Sequence, residues 1–214
     1  SALDWHRKAL KHREKVFGTE HPDVALSYIN IGHVYYSQGD YASALDWFMN
    51  ALEIREKVFG TEHPDVAISY NNIGAVYDSK GDYASALDWY RKALEILEKV
   101  FGRVHPDVAS SYNNIGYVYY SQGDYISALE WYSKALEIEE KVLGTEHPDV
   151  ALSYINIGHV YYSQGDYESA LNWYRKALGI REKVFGTEHP DVASTELIIK
   201  ELTNKLAEQT NDNR

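Results

Sequence analysis

The 214-residue chain has no cysteine, one methionine and only five prolines. Without cysteine it can form neither disulfides nor a thiolate zinc site, and a reducing, cytoplasmic setting is expected. No apolar run comes near the roughly 18 residues that a membrane helix needs. No signal-peptide pattern stands at the start, and the first residue is Ser1 rather than Met, as expected of a piece cut from a longer protein. Positive charge is scarce too, with 21 Lys and Arg against 32 Asp and Glu and a net charge of −11. That balance disfavours nucleic acid and anionic membrane as partners. Apolar and aromatic residues are plentiful, 44% of the chain being hydrophobic, so a core can be buried.

The few prolines are not scattered. Pro22, Pro64, Pro106, Pro148 and Pro190 recur every 42 residues, and so do Trp5, Trp47, Trp89, Trp131 and Trp173. Every glycine except Gly179 falls at one of three positions of the same unit, and SYINIGHVYYSQGDY appears twice, at 27–41 and 153–167. A period of this length predicts a solenoid of stacked supersecondary units.

Each unit contains two helical patterns. The first, A, starts at a proline, which suits the first helical turn. Gly39-Asp40 and its equivalents then break the chain, glycine by ending one helix and aspartate by capping the next. The second, B, carries an apolar face at three-and-four spacing, for example Ala44, Phe48, Ala51, Leu52 and Val58. A two-residue link makes the pair antiparallel. Helices are predicted at 1–17, 22–38, 41–59, 64–80, 83–101, 106–122, 125–143, 148–164, 167–185 and 190–209. The organisation expected is an unpaired B-type helix (1–17), four repeats (22–59, 64–101, 106–143, 148–185), a capping helix (190–209) and a tail (210–214). The cap is read from an apolar stripe of Leu197, Ile198, Leu202 and Leu206. Gly32, Gly74, Gly116 and Gly158 fall in mid-helix, at about 1 kcal/mol each against alanine, which predicts close backbone approach with Ala44 and its equivalents as the small partners.

The letters Tyr28, Ile31-Gly32, Tyr35, Gly39, Tyr41, Ala44, Phe48 and Ala51-Leu52 resemble the tetratricopeptide repeat family, and the resemblance recurs in register from residue 1 to about 193. The 42-residue unit is similar to the variant found in kinesin light chain, its extra residues lengthening helix B and the loop after it. The resemblance implies an all-α, right-handed superhelical solenoid of antiparallel helix pairs, with A helices lining the concave side and B helices the convex side.

Against this constant frame, one set of A-helix positions varies. They are Leu26, Ile29, His33 and Tyr36, then Ile68, Asn71, Ala75 and Asp78, then Ser110, Asn113, Tyr117 and Tyr120, then Leu152, Ile155, His159 and Tyr162. Their three-four-three spacing puts them on one helical face. Fixed letters are what stacking requires, and the variable ones are left for another use. Asn30, Asn72, Asn114 and Asn156 flank the stripe and never change. In the family an asparagine near this point often grips a ligand backbone; the alternative is a bond to a neighbouring helix. The resemblance turns the stripe towards the concave groove. There it offers aromatic, amide and imidazole groups and one carboxylate, Asp78, with no lysine or arginine. Relatives that clamp an acidic peptide need basic groups here, so the expected partner is a protein or peptide, neutral or basic, with apolar anchors. Neither Tyr117 nor Tyr120 occupies a repeated packing position.

The nine histidines suggest metal, but five of them (His21, His63, His105, His147, His189) precede the prolines one per unit, too far apart to share an ion, and read as loop residues. No acid–base pair, activated nucleophile or phosphate loop is found, so no enzyme, metal or cofactor is expected. The leading reading is an interaction scaffold that binds an extended peptide or partner helix in its groove. The alternative is a structural or self-associating array without a dedicated ligand. Helix 1–17 presents Ala2, Leu3, Trp5, Ala9 and Leu10 with no A helix before it, which predicts weak end-to-end association.

Overall fold

The computed structural model describes residues 2–212, and among them are ten α-helices and no strand. They are α1 (Ala2–Phe17), α2 (Pro22–Ser37), α3 (Tyr41–Phe59), α4 (Pro64–Ser79), α5 (Tyr83–Phe101), α6 (Pro106–Ser121), α7 (Tyr125–Leu143), α8 (Pro148–Gln164), α9 (Tyr167–Phe185) and α10 (Pro190–Asp212). Three A helices stop at serine, one residue short of the sequence expectation, because Gln38, Lys80 and Gln122 act as C-caps. Helix α10 runs on to Asp212 instead of ending at 209, so the expected tail begins as helix. Ser1 and the last two tail residues, 213–214, lie outside the described residues.

Each boundary has a local cause. The loop histidines are N-caps. Backbone N–H of Asp23 donates to His21 Nδ1 at 3.2 Å, and the same bond recurs at His63, His105, His147 and His189. The imidazole takes the place of the usual Ser or Asp oxygen, satisfying a donor that the first turn leaves free. The cap ring also stacks on the last aromatic of the preceding B helix, as Phe17 on His21 and Phe59 on His63, both at 4.5 Å. B helices start at Asp40, Asp82, Asp124 and Asp166, each accepting from a serine N–H three residues on. The serine side-chain and backbone bonds hold the Asp40, Asp82 and Asp124 carboxyls below the usual carboxylate range.

Contacts gather the chain into two compact units, Ser1–Arg103 and Val104–Arg214. In the first, α2 packs with α3 and α4 with α5, while α1 covers one side of α2. In the second, α6 packs with α7 and α8 with α9, and α10 closes onto α9. Within a pair, the A-helix glycine lies under an aromatic ring of the B helix. A Cβ on Gly32 would stand 2.6 Å from Phe48 Cε1, and one on Gly74 or Gly116 would stand 2.8 Å from the ring of Tyr90 or Tyr132. The small partner expected at Ala44 is therefore corrected: Ala44 is buried, but the space a methyl would need is occupied by Phe48. Tyr28 meets Trp47 edge-on at 5.3 Å, and Tyr70–Trp89, Tyr112–Trp131 and Tyr154–Trp173 repeat the contact.

Successive pairs are tied by a buried B-helix side chain reaching into the next A helix. Arg55 Nη1 donates to the Asp65 carbonyl at 2.7 Å and to Ser69 Oγ at 3.1 Å. Arg13 donates in the same way to Ser27, and Arg181 to the Asp191 carbonyl and Thr195.

The two terminal helices depart from expectation in detail. Leu10 of α1 is buried, whereas Trp5 is 73% exposed. In α10, Leu202 is fully buried and Ile198 and Leu206 pack on the core, but Leu197 faces solvent. Helix α10 therefore packs through three of the four predicted apolar residues, and Leu197 belongs to a different face.

Candidate functional site

The variable stripe divides by position, and the four ranks do different things. The first rank, Leu26, Ile68, Ser110 and Leu152, is exposed throughout. The third is open at His33, Tyr117 and His159, with Tyr117 52% exposed, and is cut down to a half-buried methyl at Ala75. The His33 ring stands edge-on to Phe48 at 5.1 Å. His159 Nδ1 pairs with the Tyr174 hydroxyl at 2.7 Å. Partial burial of both imidazoles lowers their pKa and favours the neutral form.

The second rank is not open. Ile29 and Ile155 are buried, which corrects their assignment to an exposed groove. Their identity follows the B helix of their own pair, 26 residues on: Ile29 goes with Arg55 and Ile155 with Arg181, while Asn71 goes with Leu97 and Asn113 with Glu139. The last pair shows why. Asn113 Nδ2 donates to Glu139 Oε1 at 2.9 Å, and Ser153 Oγ donates to Glu139 Oε2 at 2.6 Å. Glu139, at the position of Arg55 and Arg181, thus ties α7 to α8 with reversed hydrogen-bond polarity, and it needs a donor where the arginine repeats carry isoleucine. Asn113 is a packing residue on this evidence.

Burial raises the Glu139 pKa, and the bonds from Ser153 and Asn113 only partly oppose the shift. A carboxyl whose pKa rises on folding contributes stability below its unfolded pKa and loses that contribution as the pH climbs through the folded value. Glu139→Gln keeps an acceptor for Asn113 and never ionises. Its unfolding midpoint is expected to exceed that of the parent at neutral pH, and the difference to vanish at acid pH. Thermal melts of both proteins across that range check this. A difference that grows towards acid would contradict it.

The fourth rank links neighbouring A helices. Tyr36 hydroxyl lies 2.7 Å from Ser79 Oγ, and Tyr120 hydroxyl 3.0 Å from Ser163 Oγ. Tyr120 also packs 5.9 Å from Tyr125. The expectation that Tyr120 plays no part in packing is therefore corrected; Tyr117, one turn away, remains free of such a bond. Tyr162 donates to Glu201 Oε1 at 2.9 Å and accepts from Lys205 Nζ at 2.5 Å. Lys205 also sits over the rings of Tyr162 and Tyr167, at 4.5 and 5.2 Å. Asp78 alone has no hydroxyl to offer at this rank. Its carboxyl is half-buried, and desolvation raises its pKa.

Sequence reasoning missed the contribution of α10. Leu197 and Glu201 stand 42 residues after Ile155 and His159, in the register of the stripe, and Leu197 is 67% exposed. The face is thus not devoid of lysine: Lys205 borders it, paired with Glu201. The signal was the register itself, hidden because α10 lacks the SYNNIG letters. The flanking Asn30, Asn72, Asn114 and Asn156 are half-buried, and Asn72 Nδ2 is buried without a hydrogen-bond partner.

The other surfaces offer less. Shallow clefts on the B helices are lined by Glu20, Tyr28 and Lys57 and again by Glu62, Tyr70 and Lys99. They repeat with the unit, and Glu–Lys pairs join three of the loops to the B helix that follows, as Glu20 to Lys57, Glu62 to Lys99 and Glu146 to Lys183. They are products of stacking. Among the described residues no group of three His, Asp or Glu side chains could hold a metal ion, and no helix is long and apolar enough to cross a membrane.

The tetratricopeptide repeat family matches residues 1–57, 23–99 and 107–183. No curated protein matches the chain. Among solved structures, the crystal structure of BtubC (BKLC) from P. vanneervenii is similar over 96% of this chain and 80% of its own, at 22% identity and a TM-score of 0.77. A putative kinesin light chain from Podosopora anserina, with nearly identical TPR-like repeats, is similar over 85% of each chain, at 21% identity and a TM-score of 0.69. The apo form of RapI is similar over 97% of this chain and 77% of its own, at 22% identity and a TM-score of 0.70. At these identities the likeness is one of fold.

Proposed function

The chain belongs to the tetratricopeptide repeat family, a family of protein-interaction scaffolds, and from that premise we propose that it binds an extended peptide or partner helix on the variable face of its A helices. The observation that carries this reading is the exposure of large apolar side chains along the stripe: Leu26, Ile68 and Leu152 at its first rank, Tyr117 at its third, and Leu197 in α10 are all 43% exposed or more. Within each unit, apolar surface exposed in this way marks an interaction site. Tyr117 and the leucines are its anchors, since such side chains bury large areas on contact. The neutral imidazoles and the carboxyl of Asp78 favour a neutral or basic partner over an acidic one, Glu201 being offset by Lys205. The test is selection from a random library of displayed extended peptides. Selected peptides are expected to shift amide resonances on the stripe of α2 and α4 in the first unit, or of α6 and α8 in the second; shifts confined to B helices would contradict the reading.

A second reading, weak self-association through α1, rests on the exposure of Trp5. Placing the A-type helix HPDVALSYNNIGHVYYSQGDY ahead of Ser1 is expected to cover Trp5 and abolish association in sedimentation at high concentration. Association unchanged by the added helix would dismiss the role of α1. Helix α10 is a poor cover for α1 of another copy, because Lys200 stands where the other A helices carry glycine.

A further inference from the structure

Helix α4 differs from the other A helices in what it leaves unpaired. Among the described residues four buried side-chain polar atoms lack a hydrogen-bond partner, and three are on this helix: Asn71 Oδ1, Asn72 Nδ2 and Asp78 Oδ1. Unpaired polar atoms of this kind are rare in folded proteins and call for an explanation. Two of the three are acceptors on the stripe, seven residues or about 10 Å apart along the axis. Between them is Ala75, where α2 carries His33, so the wall of the stripe is lowered one turn before the carboxyl. The other A helices of the four repeats fill the position of Asp78 with tyrosine, and those of Tyr36 and Tyr120 reach a serine of the neighbouring helix.

Among the described residues Asp78 Oδ1 has no such outlet. The nearest lysine in sequence, Lys80, lies over the Tyr77 ring at 5.4 Å. The only influence resolved on the Asp78 carboxyl is desolvation, which raises its pKa, with no lysine, arginine or histidine opposing the shift. A half-buried carboxyl in that condition gains from any cation that reaches it, because charge-assisted hydrogen bonds strengthen where water is partly excluded.

Resting on the groove reading above, we propose that the Ala75–Asp78 recess of α4 is a specificity site for a lysine or arginine side chain of the bound peptide, the cation pairing with the Asp78 carboxyl. The face then reads a basic residue at α4, with Ile68 as the apolar contact two to three turns away on the same helix.

The probe is Nα-acetyl-arginine amide at low ionic strength, with Nα-acetyl-citrulline amide as its uncharged counterpart, followed by NMR of the Ala75 methyl and the Asp78 carboxyl. Saturable shifts at both are expected with the arginine probe, with at least about tenfold weaker binding for citrulline and for Asp78→Asn, the minimum that losing one charge-assisted bond implies. Ala75→His fills the recess and is expected to abolish the response while leaving the fold unchanged, since histidine stands there in α2 and α8. No saturable shift with the arginine probe, or equal responses to arginine and citrulline, would overturn the proposal. The groove reading fails separately. If library-selected peptides bind on the stripe with affinities that Asp78→Asn leaves unchanged, the groove stands and the α4 site falls. If the arginine probe saturates Asp78 while no displayed peptide binds, the groove reading falls and the peptide-reading role of Asp78 falls with it.

Discussion

Gly32→Ala is expected to destabilise the protein, although alanine is the better helix former by about 1 kcal/mol. The added methyl would stand 2.6 Å from Cε1 and 2.7 Å from Cδ1 of Phe48, inside any tolerable contact. Phe48 is 1% exposed, and its ring already meets His33 edge-on, so it has little room to retreat. Overpacking of this kind costs about 1–3 kcal/mol and outweighs the propensity gain. The same change at Gly158 meets Tyr174 at 3.1 Å, which a shift of a few tenths of an ångström relieves, so its effect is expected to be smaller. Gly116, at 2.8 Å from Tyr132, falls between. Denaturant midpoints for the three variants should follow that order. Phe48→Leu in the Gly32→Ala background is expected to recover stability relative to Gly32→Ala alone. A Gly32→Ala protein more stable than its parent would show propensity alone at work and remove the ring from the account.

Tyr117→Ala and Tyr120→Ala are expected to separate binding from folding. Their rings are 6.3 Å apart on one helix, yet only Tyr120 is held by a hydroxyl bond to Ser163 and by Tyr125. Truncating Tyr120 removes a bond between neighbouring helices together with ring packing, at a cost of about 1–3 kcal/mol in stability. Truncating Tyr117, 52% exposed, removes little that the folded chain uses. It does remove the largest open side chain on the stripe, and loss of such an anchor costs a bound partner about 1–3 kcal/mol, or roughly ten- to a hundredfold in affinity. Melting temperatures and affinities measured on the same two variants check the split. A collapse in melting temperature for Tyr117→Ala would place it in the core.

The period made the frame readable. Proline, Gly-Asp and the Trp and aromatic positions recur with 42-residue spacing, so helix type, order and pairing followed from the letters, with ends correct to about one residue except at α10. The face of each helix that packs was readable for the same reason. Two things were not. A letter that varies because its partner varies looks the same as a letter that varies because it is free: Asn113 changes with Glu139, and the pairing emerges only when the helices are docked. The second is a position that packs through one terminal atom. Tyr36 and Tyr120 keep their rings on the stripe while their hydroxyls reach the next helix. Helix α10 lacks the SYNNIG letters that mark the register in the other A helices, although Leu197 and Glu201 keep the spacing.

The central claim is that variation on the first and third ranks of the stripe serves a partner. It is tested most directly by titrating one library-selected peptide against the parent protein, Tyr117→Ala, Leu152→Ala and the B-helix control Glu95→Ala, with melting temperatures recorded for each. The account predicts unchanged melting temperatures throughout, affinity reduced about tenfold or more for Tyr117→Ala and Leu152→Ala, and no change for Glu95→Ala. Equal affinities for all four proteins, or a loss confined to Glu95→Ala, would contradict it.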